Sequence, residues 1–431
     1  MSNENQNTPL SRRSFLSKAA AGTAGAAALG FPMISVAQSP ITMRWQSTWP
    51  AKDIFHEYAQ DFASRVNGMS GGRLKIEVLP AGAVVKAFDL LDAVSKGTLD
   101  GGHGVVAYWY GKNSAVALWG SGPAYGMDPN MVLAWHNYGG GKALLDEIYK
   151  NLNLDVQSFL YGPMPTQPFG WFKKPVTKVE DVKGMKFRTV GLAVDIYKGL
   201  NLDVQSFLYG PMPTQPFGWF KKPITKAEDV KGMKFRTVGL AVDIYKDMGV
   251  AVNPLPGGEI VPAIDRGLID GAEFNNASSD RLLGFPDVSK VCMLQSFHQC
   301  SEQFEILFNK KKYDSLPAEL KTIINHSVEA ASADMSWKAI DRYSKDYIEM
   351  QEKQGVKFYK TPDAILRRQL QAWDKIVAAK SAENPTFKKV NDSMKAFAQR
   401  ACRWQNDTNV DYKMAYNHFF AKQGAPAKKK G

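Results

Sequence analysis

Cysteine is scarce: three residues in 431, Cys292, Cys300 and Cys402. The number is odd and the spacings fit no metal site, so buried free thiols are expected in place of a disulfide framework or a zinc centre. Long apolar runs are missing too. Past residue 37 no stretch supplies the ~20 apolar residues that a membrane-crossing helix needs. Basic residues do not gather into a stripe with interleaved aromatics, so no nucleic-acid partner is expected. Signatures of catalysis are also absent. Gly139-Gly140-Gly141-Lys142 lacks the Gly-x-x-x-x-Gly-Lys-Ser/Thr spacing that wraps phosphates. It reads as the end of one helix before another starts at Ala143. There is no Gly-x-Ser-x-Gly elbow, and His103 and His298 have no acidic partner at a spacing that suggests a triad or metal pair. An enzyme is therefore not expected.

What is present begins at the N-terminus. Ser11-Arg12-Arg13-Ser14-Phe15-Leu16 precedes an Ala/Gly-rich run from Ala19 to Gly30, and Ser35-Val36-Ala37 follows. Basic, weakly apolar, then small is the order of an export signal, here over 1–37. Paired arginines ahead of Phe-Leu make it twin-arginine-like, which directs a folded chain to the periplasm. About 390 residues remain after Ala37, enough for two core-forming lobes. The net charge of +12 takes two units from that signal and three from Lys428, Lys429 and Lys430. The remainder is spread out and mildly favours anionic solutes.

Periodicity gives an α/β chain. Thr42–Ser47 reads as a strand, Asp53–Val66 as a helix, Leu74–Leu79 as an alternating strand and Phe88–Leu99 as a helix. Asp100-Gly101-Gly102 then reads as a turn into an apolar strand over Val105–Trp109. Strand and helix alternate again from Met233–Thr237 through Ala251–Pro254 to Ile269–Phe274. Long helical patterns cover 317–354 and 362–397. Such alternation builds a mostly parallel sheet covered by helices, and two units of it suggest two lobes around a cleft. Small ligands bind these sheets at the carboxyl ends of the strands.

One feature is unusual. Asn153–Lys198 recurs as Asn201–Lys246, shifted by 48, and only Val176/Ile224 and Val179/Ala227 differ across 46 positions. A repeat architecture needs about three units and tolerates drift between them. Two nearly identical units read instead as the join of a recent unequal crossover or of an assembly error, with the second copy treated as an insertion.

Three segments stand in order: Gln215-Pro216-Phe217-Gly218-Trp219-Phe220-Lys221-Lys222-Pro223, then Glu228-Asp229-Val230-Lys231-Gly232-Met233-Lys234-Phe235-Arg236, then Gly257-Gly258-Glu259-Ile260 through Asp270-Gly271-Ala272-Glu273. Together they resemble the DctP-like solute-binding proteins of TRAP (tripartite ATP-independent periplasmic) transporters, nearest the branch for 2-oxo acids and related monocarboxylates. The resemblance implies a two-lobed periplasmic binding protein fold with crossing strands, a long connecting helix and C-terminal helices. It implies lobe I from 38–162 plus about 300–340 and lobe II from about 163–299 plus 341–410, with 411–431 a tail. The implied function is reception of a small organic acid for delivery to TRAP permease membrane subunits; a sensor-presenting role would leave the same sequence. A homodimer is compatible with it.

The resemblance also implies the site. An arginine after the Glu-Asp-Val-Lys-Gly turn grips the carboxylate, here Arg236 or its copy Arg188. A planar guanidinium suits that role because it offers two parallel donors and stays charged when desolvated. Gln215 (copy Gln167), Trp219 and Phe274 line the cleft. No cofactor is required, but a sodium or calcium ion bridging protein and substrate would find hard oxygens at Glu273, Gln299 and Gln215. Phe274 brings only its backbone carbonyl. Trp45, Trp49, Tyr108 and Trp219 are either an apolar wall or plain core.

Overall fold

The structure, a computed structural model, describes residues 39–164, 170–172, 176, 189–190, 218–220, 234–236, 238–239, 251–252 and 257–420. The expectations for residues 1–37, Gln167, Arg188 and Gln215 lie outside the described residues, as does the tail from 421. Residues from Thr42 onward form one compact unit.

Strand β1 (Ile41–Ser47) leads into helix α1 (Ile54–Met69), whose first turn is capped by the Asp53 carboxylate accepting from Phe55 N at 3.1 Å. The helix buries Phe55, Tyr58, Phe62 and Val66 on one face and ends at a turn in which Gly71 and Gly72 have positive φ. Strand β2 (Leu74–Leu79), short helix α2 (Leu90–Ser95) and strand β3 (Gly101–Val105) follow.

Here the expected strand is displaced. The glycines expected to turn are themselves β3, and the apolar run Val106–Trp109 forms a 3₁₀ turn. Packing decides it, because β3 runs between β1 and a later strand with no room for a side chain. A Cβ on Gly101 would lie 2.3 Å from the Trp45 ring and 2.6 Å from the Leu307 carbonyl.

Helix α3 (Pro129–Tyr138) starts on an Asp128 cap, and α4 (Gly141–Asn151) follows. The glycine triplet does separate two helices, the second opening at Gly141. Strand β4 (Val156–Met164) then completes an edge of the first sheet.

The second sheet is assembled from short strands: β5 (Gly170–Phe172), β7 (Gly218–Phe220), β8 (Lys234–Arg236), β10 (Ala251–Val252), β11 (Gly271–Ala272) and β12 (Val291–Leu294). Two further pieces, β6 (Thr189–Val190) and β9 (Val238–Gly239), pair with each other. Helices α5 (Gly257–Asp265) and α6 (Ala277–Leu283) lie between these strands in sequence. Strand β13 (Glu302–Asn309) returns to the first sheet, whose order is β2-β1-β3-β13-β4.

Helix α7 (Ala318–Glu352) delivers the chain to β14 (Lys357–Lys360), which ends the second sheet, ordered β10-β8-β11-β5-β12-β14. The chain therefore passes between sheets at β4 to β5, at β12 to β13 and along α7. The expected long helical pattern over 362–397 is two helices, α8 (Asp363–Glu383) and α9 (Pro385–Thr408). Asn384, extended at φ −135° before Pro385, breaks the first and caps the second. Helix α10 (Tyr412–Phe420) ends the described chain.

The 35-residue helix α7 holds both sheets. Ser332 Oγ accepts from Gly162 N of β4 at 2.9 Å, Asp334 pairs with Arg65 of α1, and Asp346 and Glu349 clasp Arg281 of α6. Beneath it the first sheet is dense in aromatics. Trp45, Trp49, Trp109, Trp119 and Trp135 are fully buried, each removing roughly 150–250 Å² from water. Trp45 packs on Phe62 and Phe308, and Tyr108 is buried against Trp49, so these three side chains belong to the core. Trp49 Nε1 donates to His103 Nδ1 at 2.7 Å, leaving Nε2–H to face Tyr161 Oη at 2.6 Å. Burial pushes the His103 pKa down to about 3, as it does for His136, so both are neutral core histidines. Cys292 and Cys300 are buried free thiols; Cys402 is free and half-buried.

Candidate functional site

Parallel strands β8 and β11 end side by side. Arg236, the last residue of β8, has Ala272 of β11 as its Cα partner, and Glu273 follows at once. Ala272 pairs across to Trp171 of β5, and Trp171 to Cys292 of β12. The backbone thus brings the expected anchor and the expected cation ligand together at the carboxyl ends of adjacent strands, where α/β sheets bind ligands. Trp219 of β7 pairs with Phe172. The Phe274 ring is fully buried and stacks on Phe285 at 5.7 Å, so that side chain anchors the core behind the strand end.

Gln299 lies on the second crossing, between β12 and β13. It forms an isolated bridge with Gly122: Gly122 N donates to the His298 carbonyl at 2.6 Å, and Cys300 N donates to the Gly122 carbonyl at 3.2 Å. Its side-chain Nε2 donates to the Gly120 carbonyl at 2.9 Å, while its buried Oε1 has no hydrogen-bond donor among the described residues. Helix α8 covers this segment. Gln369 ties down Phe297 N at 2.9 Å and Ser296 Oγ at 2.8 Å, and one turn later the Trp373 ring closes over Gly122.

Composition alone did not single out Gly120-Ser121-Gly122, Glu302 or Trp373. Glu302 opens β13 and is 1% exposed; a Cβ on Gly120 would sit 2.6 Å from its Oε1. Its Cα partner in β4 is Met164, three residues before Gln167. Burial, then the charge of Glu273, holds its carboxyl well above the ordinary range. Like Gln299 Oε1, the buried Ser121 Oγ, both polar ends of Gln303 and Trp373 Nε1 have no hydrogen-bond partner among the described residues. Unsatisfied buried polar groups cost about 1–3 kcal/mol each, so this cluster calls for a polar partner beyond these side chains, whether water, an ion or a ligand. Local signals for these residues did exist: a Gly-x-Gly on a loop, and an acid that interrupts an apolar strand.

Chemically the donors are carboxylate and amide oxygens, suited to a hard cation and not to zinc. Among the described residues no three His, Cys, Asp or Glu converge. A cation here would lean on amide and backbone carbonyls beside the carboxylates. Ser279 Oγ of α6 donates to Asp53 Oδ1 at 2.7 Å, linking α6 to the cap of α1. Burial raises the Asp53 pKa to about 7 against those hydrogen bonds.

Two stretches of the chain, 46–212 and 214–384, match the family described as bacterial extracellular solute-binding protein, family 7 (DctP). They meet inside the second repeat copy. A relative from Nostoc sp. PCC 7120, a monocarboxylate 2-oxoacid-binding periplasmic protein, is 27% identical over 408 residues, covering 94% of this chain and 98% of the relative. A TRAP periplasmic solute-binding protein from Pseudoalteromonas atlantica, solved with sodium and pyruvate, superposes with a TM-score of 0.70 at 25% identity, covering 89% of this chain and 100% of that one. One from Colwellia psychrerythraea, solved with calcium and pyruvate, gives 0.71 at 24% identity over 89% and 100%.

Proposed function

We propose, from the premise that this chain belongs to the bacterial extracellular solute-binding proteins of family 7, that it receives a 2-oxo monocarboxylate such as pyruvate and hands it to a TRAP membrane permease. It is a solute receptor and not an enzyme. The observation that carries the reading is the register that ends β8 on Arg236 beside Ala272 and Glu273. Arg236 would hold the carboxylate through two charge-assisted hydrogen bonds, with Gln215 or Gln167 and Trp219 at the rim. A sodium or calcium ion would bridge the substrate to Glu273, Gln299 and a repeat glutamine, as such ions accompany pyruvate in the two solved relatives. Arg188 is the displaced copy of the anchor.

The two sheets and α7 support lobes drawn as 38–162 plus about 300–340 and about 163–299 plus 341–410. Export over 1–37 by the twin-arginine route, and passage of the acid to large and small permease subunits, complete the proposed cycle. Among the described residues no helix is long and apolar enough to cross a membrane. Calorimetric titration of pyruvate tests the reading. Arg236→Ala should lose about 2–5 kcal/mol, roughly 30-fold or more, whereas Arg188→Ala should bind nearly as the parent does. Undiminished binding by Arg236→Ala would overturn the assignment.

A further inference from the structure

The repeat leaves a mark on the second sheet that the binding reading does not use. Strand β5, from the first copy, is antiparallel to β11 on one side (Ala272 with Trp171, Gly271 with Phe172) and to β12 on the other (Cys292 with Trp171, Met293 with Gly170). Strand β7, the same Gly-Trp-Phe of the second copy, lies parallel to β5 and against β11 and β12 as well. An extended strand has only two hydrogen-bonding edges, and β11 and β12 take both edges of β5. No third edge is left for β7. The pieces that follow behave alike: Thr189–Val190 of the first copy lies parallel to Val238–Gly239 of the second, so nearly equivalent residues of both copies arrive at one place.

We infer that β5 and β7 compete for a single position between β11 and β12, and that the folded chain populates two threadings, with β8 and Arg236 fixed beside β11 in both. Nothing local separates the competitors, because the copies differ only at Val176/Ile224 and Val179/Ala227. What differs is where the surplus chain is accommodated. With β5 in place, 5 residues connect it to β4 and 61 connect it to β8; with β7 in place, the connections are 53 and 13. Closure probability falls only as about the three-halves power of connection length, so these pairs differ by roughly threefold. A ratio of that size leaves both threadings populated. Each also brings its own glutamine, Gln167 or Gln215, three residues ahead of its Gly-Trp-Phe.

Hydrogen–deuterium exchange on the unmodified full-length chain tests this without any ligand. Peptides that begin at Gly170 and Gly218 and run past Val176 and Ile224 differ in mass by one methylene, so the copies report separately. A variant lacking residues 153–200 gives the protection of an uncontested strand. The expected result is partial protection of both copies, as two mass envelopes or one intermediate envelope, with protected fractions that sum to about one and differ by no more than a few fold. Full protection of one copy with none of the other, full protection of both, or protection of neither would overturn the inference. A second reading uses the pairing of Trp171 with Cys292, since partners across a strand pair lie within disulfide reach. In a background with Cys300 and Cys402 changed to Ser, Trp171→Cys and Trp219→Cys should each cross-link to Cys292. Cross-linking by only one would contradict the two-threading account.

Discussion

Gly122→Ala should be one of the costlier single substitutions in this chain, and its cost can be divided in advance. Gly122 has φ +83° and packs under Trp373, where a Cβ would lie 2.4 Å from two ring carbons and 2.7 Å from a third. Forcing an L-residue into that backbone region costs about 1–2 kcal/mol. Pushing a buried indole aside adds about 1–3 kcal/mol, for a total of about 2–5 kcal/mol. Gly72 is the control: its φ is +79°, nearly the same, and nothing lies within 4 Å of its Cβ position, so Gly72→Ala should lose only the backbone part. Calorimetric unfolding of both variants measures the difference. A double variant with Trp373→Leu should recover much of the crowding cost of Gly122→Ala, a coupling absent between distant sites. Because Gly122 N holds the His298 carbonyl next to Gln299, Gly122→Ala should also weaken pyruvate binding, and Gly72→Ala should not. Equal destabilisation by the two alanines would refute the claim that Trp373 seals the crossing over this glycine.

Other outcomes follow from the same contacts. Asp53, with its pKa raised to about 7 by burial, holds its proton more tightly folded than unfolded. Its contribution to stability is therefore complete below about pH 4 and is lost as pH rises to about 7, a swing of roughly 4 kcal/mol. Asp53→Asn should abolish that slope, so its stability relative to the parent should grow across pH 4–7; a constant difference would show that Asp53 does not titrate in this window. His103 and His136, with pKa values lowered to about 3, act in the opposite sense: their stabilisation is present above about pH 6.5 and is lost as pH falls toward 3. Replacing sodium and chelating calcium should weaken pyruvate binding by more than a few fold, and indifference to cations would remove the bridging ion from the site. On the proposed twin-arginine route, which passes folded chains, the periplasmic yield of the full chain should be lower than that of a version lacking residues 153–200; equal yields would show that the repeat does not burden folding.

Much of this architecture was legible in the sequence because local patterns and packing agreed. Asp53 before Ile54 capped a helix whose apolar stripe faced the core, and Leu74–Leu79 alternated as a half-buried strand should. Family-level motifs pointed to Arg236 and Glu273, 37 residues apart, which the register of β8 and β11 sets at the ends of adjacent strands. Reading failed where tertiary packing outranked local preference. Gly101 and Gly102 read as a turn but open a central strand, because Trp45 and Leu90 fill the space where side chains would stand. The apolar run after them looked like that strand and became a 3₁₀ turn. No expected element covered Glu302; only the fold shows that it lies on Gly120 within reach of the Glu273 charge. The contest between β5 and β7 was visible as a repeat, but a repeat does not reveal how many places the sheet holds for it.

The most direct test of the receptor itself is a thermal-shift titration of the full chain with pyruvate in sodium- and calcium-containing buffer. A ligand that binds only the folded state adds about 2.7 kcal/mol at a hundredfold excess over Kd. Pyruvate and other 2-oxo acids should raise the melting temperature progressively with concentration, and the rise should vanish in Arg236→Ala. No rise with any 2-oxo, 2-hydroxy or simple monocarboxylate, or an equal rise in Arg236→Ala, would contradict the assignment of this chain as a carboxylate receptor anchored at Arg236.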